Sequence, residues 1–247
     1  MHAFARWQAH PQSVRARRGI AIAWRESNMT LLRRTAEKFV QSILTRFVRK
    51  AEALLQADLP RFGNSPNNLT IQLPRRITNP DRMYFGDNVS IGPGAVLTAQ
   101  IQYPGPWLRN PDGSSSVQEF DPRIFIGNRV TSTGALSITA LSEVRIEDDV
   151  MFAPNVMISD GSHGYETANQ PYKYQKMWKI APVTIRQGCW IGQNVVILPG
   201  VTIGELSIIG SNSVVTTSIP ARSIAAGAPA RVIKYWDDVA HRWSLAG

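Results

Sequence analysis

Aliphatic residues recur at every sixth position near the C-terminal end of the chain. They are Ile185, Ile191, Ile197, Ile203, Ile209 and Val215. A period of six matches neither the 3.6-residue period of a helix nor the two-residue alternation of a strand. It is typical of a parallel β-helix, in which the chain makes a short strand, turns a corner and makes another. We therefore predict inward-pointing Ile and Val side chains and triangular coils of about 18 residues that bury their inner faces by stacking.

The same period extends upstream, with two interruptions. It begins at Phe85, resumes at Ile126 and resumes again at Ile146. Residues 98–122 and 159–182 break the period, and the first of these stretches is rich in Pro, Gly and Ser. We predict that both are loops inserted at corners of the β-helix.

The pattern divides the chain into three parts and predicts a mainly β fold. Residues 1–82 form a basic N-terminal arm, an amphipathic helix and an irregular linker. Residues 83–220 form the parallel β-helix, in which the phase slips by two residues at 140–144. Residues 221–247 form a C-terminal segment, and we expect a short helix over 231–243.

The predicted N-terminal helix carries apolar residues at three- and four-residue steps from Leu31 to Leu55. Ser27 or Asn28 is placed to cap a helix that starts near Thr30. Residues 1–58 also contain 11 Lys or Arg and 4 Asp or Glu, so they hold most of the net charge of +9.

A basic amphipathic helix has more than one interpretation. We expect it to dock on the β-helix or on a neighbouring subunit, and contact with an anionic membrane surface is the alternative. Nucleic acid is not expected, because no reader motif accompanies the charge. The chain has no apolar run of about 18 residues and no h-region of a signal peptide, so we predict a cytoplasmic protein. If the basic helix contacts the membrane, the protein would be peripheral at the inner membrane face.

The closing repeats add a resemblance to the periodicity. The segments Trp190–Gly192, Ile197–Gly204, Ser211–Thr216 and Ala226–Lys234 resemble the hexapeptide-repeat acyltransferases, whose units join an aliphatic residue, often a Gly, and a small residue. The likeness is strongest to the sugar and polysaccharide O-acetyltransferase branch. It implies a left-handed β-helix, a homotrimer, and transfer of an acetyl group from acetyl-CoA. Handedness follows from the resemblance and not from the period.

The candidate general base is His163. It is the one histidine inside the repeat region, and it lies where a loop leaves the rigid β-scaffold. The segment Pro154–His163 resembles the family's approach to its catalytic histidine. An imidazole can accept a proton from a hydroxyl near neutral pH. Asp160 or Glu166 is expected to orient the ring, and Asp160 has the alternative role of capping its own turn.

The resemblance also implies where acetyl-CoA lies, in a groove between adjacent β-helices of a trimer. The residues implied for its binding are Trp190, Gly192, Gln193, Gly210, Ser211, Thr216, Thr217, Arg231 and Lys234. Arg231 and Lys234 would meet the nucleotide phosphates, a role that suits cations. Thr217 departs from the family, which often has Lys there.

Four residues are candidates for contact with the acceptor. They are Thr133, Asn155, Tyr165 and Glu166. The region around Thr133 departs from the family, which often has Asn there.

Other functions on the same fold stay open. They are modification of an antibiotic, N-acylation of an amino sugar, and a scaffold without enzymatic activity. A zinc hydratase is disfavoured and no metal is expected, because one repeat-region histidine cannot supply the usual ligands. The single cysteine, Cys189, occupies the small position of a hexad, which predicts a buried packing role.

Overall fold

The computed structural model describes residues 33–51, 53–55, 58–105, 108, 113 and 117–246. The chain divides into two units, Met1–Leu55 and Gln56–Gly247. In the first unit a helix covers 33–51 and 53–55, which confirms the predicted N-terminal helix. The predicted arm over 1–22, the cap and the helix start near Thr30 lie outside the described residues. Among the described residues no helix is both long and apolar enough to span a membrane.

The second unit is a parallel β-helix with three sheets. Sheet 1 contains β1 (Thr70–Ile71), β4 (Ser90–Ile91), β9 (Thr131–Ser132), β12 (Met151–Phe152), β17 (Trp190–Ile191), β20 (Ile208–Ile209), β22 (Ser223–Gly227), β23 (Ala230–Asp237) and β24 (Arg242–Leu245). Sheet 2 contains β2 (Arg75–Thr78), β5 (Ala95–Ala99), β10 (Ser137–Ala140), β13 (Met157–Ser159), β18 (Val196–Ile197) and β21 (Val214–Val215). Sheet 3 contains β3 (Met83–Phe85), β8 (Arg123–Ile126), β11 (Glu143–Ile146), β16 (Val183–Ile185) and β19 (Thr202–Ile203).

The predicted hexad forms the interior of this prism. The six aliphatic side chains from Ile185 to Val215 are fully buried and belong to one continuous hydrophobic cluster. Each coil places one strand in each sheet, so the chain turns three corners per coil. We name these the 1–2, 2–3 and 3–1 corners after the sheets that they join.

Coil length changes along the prism and explains the phase slip at 140–144. Thr131 pairs with Met151, 20 residues later, whereas Trp190 pairs with Ile208, 18 residues later. The longer coil contains the four-residue strands β10 and β11, and the shorter one contains the two-residue strands β18 and β19. The two extra residues extend the strands and leave the inward alternation intact.

The first coil begins earlier than the sequence indicates. β1 pairs with β4 and β2 pairs with β5, all in parallel register. Residues 70–82, which we expected to be irregular linker, therefore already form strands of the β-helix, with a 3-10 turn at Pro80–Arg82. Four prolines between residues 58 and 82 hide the period there, but strands this short tolerate them at their ends.

The predicted C-terminal helix over 231–243 is wrong. β23 pairs antiparallel with β22, and β24 pairs antiparallel with β23, so the segment is a β-hairpin that extends sheet 1. Along β23 exposed residues alternate with partly buried ones from Arg231 to Trp236, as a strand requires. The segment is rich in β-branched and aromatic residues, and pairing with β22 decides its structure.

The two predicted insertions both leave the β-helix at its 2–3 corner. The first contains the antiparallel pair β6 (Gln102–Tyr103) and β7 (Gln118–Glu119). The second contains the antiparallel pair β14 (Ser162–His163) and β15 (Met177–Trp178), together with a 3-10 turn at Tyr172–Tyr174. One coil, with a tight corner at residues 141–142, separates them.

Candidate functional site

His163 is exposed and lies on the hairpin of the second insertion, where it pairs with Met177. The next residue must be glycine. The Gly164 N–H donates to the Lys176 carbonyl at 2.9 Å, and a Cβ at position 164 would lie 2.3 Å from that oxygen. This close approach fixes the backbone beside the imidazole.

Tyr103, a residue that the sequence did not single out, contacts the imidazole. Its ring meets the His163 ring edge-on, with 5.1 Å between the centroids and 71° between the planes. Tyr103 belongs to the first insertion, 60 positions earlier in the chain. A signal was available in the sequence, since both insertions follow the sheet 2 strand of their coil and so leave from the same corner.

Asp160 is fully buried and binds the corner of the preceding coil. The backbone N–H groups of Leu141 and Ser142 each donate to a different carboxylate oxygen, both at 2.7 Å. Burial raises the pKa of the Asp160 carboxyl, and the backbone donors act in the opposite direction. Of the two roles considered for Asp160, these contacts support the cap, here made to the neighbouring coil.

The candidate acyl-donor residues occupy the outer surface of the last coils. Trp190 is 47% exposed, and Gln193, Ser211, Thr217 and Arg231 are exposed as well. Thr216, Lys234 and Gly210 are partly buried. An extended thioester arm can lie against the exposed side chains, and the basic groups of Arg231 and Lys234 suit phosphates.

Gly192 is buried, and coil stacking accounts for it. A Cβ at this position would lie 2.7 Å from the Ile209 carbonyl oxygen and 2.7 Å from the Ser211 nitrogen of the next coil. The glycine therefore lets successive coils approach, and any contact with a ligand would be through its backbone.

Within one chain, the candidate residues lie at different corners. Gly192, Gln193, Gly210 and Ser211 follow sheet 1 strands and so lie at the 1–2 corner. His163 lies at the 2–3 corner, and Thr216 and Thr217 follow β21 at that same corner two coils later.

Thr133 and Asn155 also lie at the 1–2 corner and not beside His163. Asn155 has a left-handed backbone with φ 60°, and its amide donates to Asn194 at 3.1 Å. Asn194 donates in turn to Asn212 at 2.9 Å. The three side chains form a ladder along the corner, where asparagine tolerates positive φ. Thr133 donates to the Phe152 carbonyl at 3.4 Å.

The two remaining acceptor candidates lie on the second insertion with His163. Tyr165 is exposed and meets Trp178 edge-on, with 4.9 Å between the ring centroids. Glu166 is exposed and lines a cavity of about 410 Å³ between the two insertions.

Cys189 is buried as predicted. Its Sγ donates to the Gly204 carbonyl at 3.0 Å, and burial raises the pKa of the thiol from 9.0 to about 11. In the part of the chain that the structure describes, no three His, Cys, Asp or Glu side chains are grouped to hold a metal ion.

Comparison with known proteins identifies the family. The family described as "Bacterial transferase hexapeptide (six repeats)" matches residues 182–217. The galactoside O-acetyltransferase of Escherichia coli is 40% identical over 119 residues, which cover 48% of this chain and 57% of that protein. The E. coli protein WbbJ, named as a lipopolysaccharide biosynthesis O-acetyl transferase, is 30% identical over 182 residues, which cover 71% of this chain and 83% of WbbJ. The chain belongs to the hexapeptide-repeat acetyltransferase family.

The fold is also shared with a more distant protein. A variant of AntD, an N-acyltransferase from Bacillus cereus solved with dTDP and coenzyme A, superposes with a TM-score of 0.57 at 19% identity. That match covers 72% of this chain and 87% of the solved one, and at this identity it shows the fold alone.

Membership of the hexapeptide-repeat acetyltransferases confirms several predictions made from the sequence. It confirms the resemblance, the left-handed parallel β-helix, and an acetyl-CoA-dependent acetyltransferase as the class of enzyme.

Proposed function

We propose that this protein transfers the acetyl group of acetyl-CoA to a hydroxyl of a sugar or polysaccharide precursor, with His163 as the general base. The observation that carries the proposal is the environment of His163. Its imidazole is exposed to an incoming acceptor, while the Gly164–Lys176 contact and the Tyr103 ring hold its backbone and side chain. Catalytic bases need this combination of access and fixed position.

The chemistry requires one proton acceptor and no covalent enzyme intermediate. As the acceptor oxygen bonds to the acetyl carbonyl carbon, its proton passes to the free nitrogen of His163. The tetrahedral intermediate then collapses, the carbon–sulfur bond breaks, and the imidazolium returns the proton to the departing thiolate. Cys189 cannot serve as a competing nucleophile, because it is buried and protonated at neutral pH.

We propose a sugar hydroxyl as the acceptor because the galactoside and lipopolysaccharide enzymes of E. coli are named for O-acetylation and align with much of this chain. The polar character of the second insertion, with Glu166, Thr167 and Gln170, supports the same class of acceptor. N-acylation of an amino sugar is less supported, since the N-acyltransferase AntD shares only the fold.

We also propose that the working form is a homotrimer and that each site forms between two copies. The division of candidate residues between two corners supports this. His163 lies at the 2–3 corner, whereas Gly192 and Ser211 lie at the 1–2 corner, and cyclic symmetry would bring unlike corners of adjacent copies together.

For the N-terminal helix we propose contact with an anionic membrane surface, which would make the protein peripheral. Its apolar side chains Phe39, Ile43 and Phe47 are exposed, and the helix also carries Lys and Arg. Basic amphipathic helices of this kind bind anionic lipid. The assignment is supported if the protein co-sediments with vesicles that contain phosphatidylglycerol but not with pure phosphatidylcholine vesicles. It is refuted if the protein co-sediments with neither kind of vesicle.

The proposed function is tested by following thiol release from acetyl-CoA with a panel of methyl glycosides, nucleotide sugars and aminoglycoside antibiotics. We expect acetyl-CoA to bind, and thiol release to depend on a sugar hydroxyl acceptor. Absence of acetyl-CoA binding would favour a scaffold, and turnover only with amines would favour N-acylation.

A further inference from the structure

The first insertion, residues 98–122, has so far been assigned one role, the contact of Tyr103 with the His163 ring. It leaves the β-helix at the 2–3 corner, two coils before the insertion that carries His163. The intervening coil turns this corner tightly at residues 141–142, and described residues of the two insertions, Gln118 and Met177, contact each other.

A side-chain amide joins the insertions. Gln118 Oε1 accepts a hydrogen bond from the Met177 N–H at 2.6 Å, and Gln118 Nε2 donates to the Met177 carbonyl at 3.4 Å. Met177 is the residue that pairs with His163 across the hairpin. The amide of Gln118 therefore holds the strand that positions His163.

Tyr103 makes a second connection between the insertions. Its ring packs edge-to-face with the His163 imidazole, and its hydroxyl donates to the Lys173 carbonyl. Burial raises the pKa of the Tyr103 hydroxyl, so it remains a donor at neutral pH. The Tyr103 ring is thus fixed by its hydroxyl, and its contact with the imidazole limits rotation of the imidazole.

The cavity of about 410 Å³ lies between the insertions, and its size is within the range of small-molecule sites. Residues from both insertions line it, including Tyr103, Gln118, Glu166, Thr167, Gln170 and Gln175. Gln175 is buried and bonded to both the N–H and the carbonyl of Thr167, so the wall is preformed. The Glu166 carboxylate, which accepts, and the Gln170 side-chain amide, which donates and accepts, suit a polyhydroxylated ligand beside the Tyr103 ring.

We propose that this cavity is the acceptor site, that it takes a sugar, and that Tyr103, which lines the cavity and contacts the His163 ring, is a positioning residue for that ring. The inference rests on the proposed function and adds to it a site built jointly by the two insertions. It predicts that residues of the first insertion affect the acceptor and the imidazole but not acetyl-CoA.

The test measures kcat and KM for acetyl-CoA and for the best methyl glycoside of a panel of galactoside, glucoside, mannoside and N-acetylglucosaminide. Gln118→Leu removes both hydrogen bonds at nearly constant size and should raise the glycoside KM about tenfold or more, with the acetyl-CoA KM within about twofold. Glu166→Gln, which leaves the link between insertions intact, should raise the glycoside KM alone. Glu119→Gln, the exposed neighbour of Gln118 on β7, is the matched control and should behave as wild type.

The positioning role has its own readout. Tyr103→Ala should lower kcat about tenfold or more, and Tyr103→Phe, which keeps the ring edge, should recover it to within about threefold of wild type. A wild-type glycoside KM in both Gln118→Leu and Glu166→Gln overturns the acceptor site, and equal loss in Tyr103→Phe and Tyr103→Ala overturns the ring's positioning role. Wild-type protein that acetylates no glycoside would sink the proposed function, and this inference with it.

Discussion

The Asp160 carboxylate accepts a hydrogen bond from the Leu141 N–H, one coil earlier in the β-helix, at 2.7 Å. The Ala181 N–H donates to the Asp160 carbonyl at 2.8 Å where the chain returns to the prism. Asp160 therefore joins the two ends of the second insertion through its carbonyl and binds the preceding coil through its carboxylate. Three residues beyond this anchor the chain reaches His163.

Replacement of Asp160 by asparagine should destabilise the protein. One backbone N–H loses its acceptor and faces an amide N–H₂ in a buried site, which costs about 1–3 kcal/mol of unfolding free energy. The melting temperature should therefore fall by a few degrees, since each kcal/mol lowers it by roughly 2–4 °C in a protein of this size.

Asp237→Asn is the matched control for that variant. Asp237 Oδ1 also accepts from two backbone N–H groups, those of Val239 and Ala240, both at 2.9 Å, but on the surface hairpin where water can replace it. Equal stability losses in the two variants would contradict the buried anchoring role of Asp160.

The sequence predicts the prism well because the first position of each hexad must be filled by a buried aliphatic side chain, and the six residues from Ile185 to Val215 repeat that requirement. The C-terminal hairpin escapes prediction because Val232 and Trp236 fit a helical or a strand pattern equally well, and pairing with β22 decides between them. The Tyr103–His163 contact escapes it because each partner lies where the period is broken. Only the shared corner of the two insertions relates such residues.

Cys189 should react slowly with iodoacetamide in the folded protein. Burial raises the pKa of its thiol from 9.0 to about 11, so at pH 8 the thiolate is about a hundredfold scarcer than in the unfolded chain. Alkylation followed by mass spectrometry should be slow natively and fast in guanidinium chloride. Comparable alkylation rates in both conditions would argue against burial of the Cys189 thiol.

The same raised pKa sets the sign of a pH effect. The folded state favours the protonated thiol, so the contribution of Cys189 to the free energy of unfolding is complete below pH 9.0 and is lost as the pH rises towards about 11. Cys189→Ser should lessen this alkaline loss of stability in denaturant titrations at pH 8 and pH 10.5.

Gly164→Ala should impair catalysis more than stability. The added Cβ would lie 2.3 Å from the Lys176 carbonyl oxygen, which forces the hairpin strands apart beside His163. We expect kcat to fall about tenfold or more while the acetyl-CoA KM is maintained. Ser162→Ala, on the same strand, is the control and should keep kcat, and unchanged kcat in Gly164→Ala would show that the close approach is dispensable.

Mixing two inactive variants tests whether sites form between copies. His163→Ala removes the base, and Ser211→Trp blocks the exposed 1–2 corner. If each site combines the 2–3 corner of one copy with the 1–2 corner of the next, trimers reassembled from equal amounts should regain about a quarter of the wild-type rate. No recovery after verified subunit exchange would place both halves of the site in one copy.

The most direct measurement of the central claim is the rate of acetyl transfer by His163→Ala, with acetyl-CoA binding and thermal unfolding followed on the same sample. His241→Ala, at the exposed turn before β24, serves as the matched histidine control. We predict that His163→Ala loses about two to four orders of magnitude in kcat, the usual contribution of a general base, with binding and folding unchanged. Wild-type turnover by His163→Ala would contradict the assignment of His163 as the catalytic base.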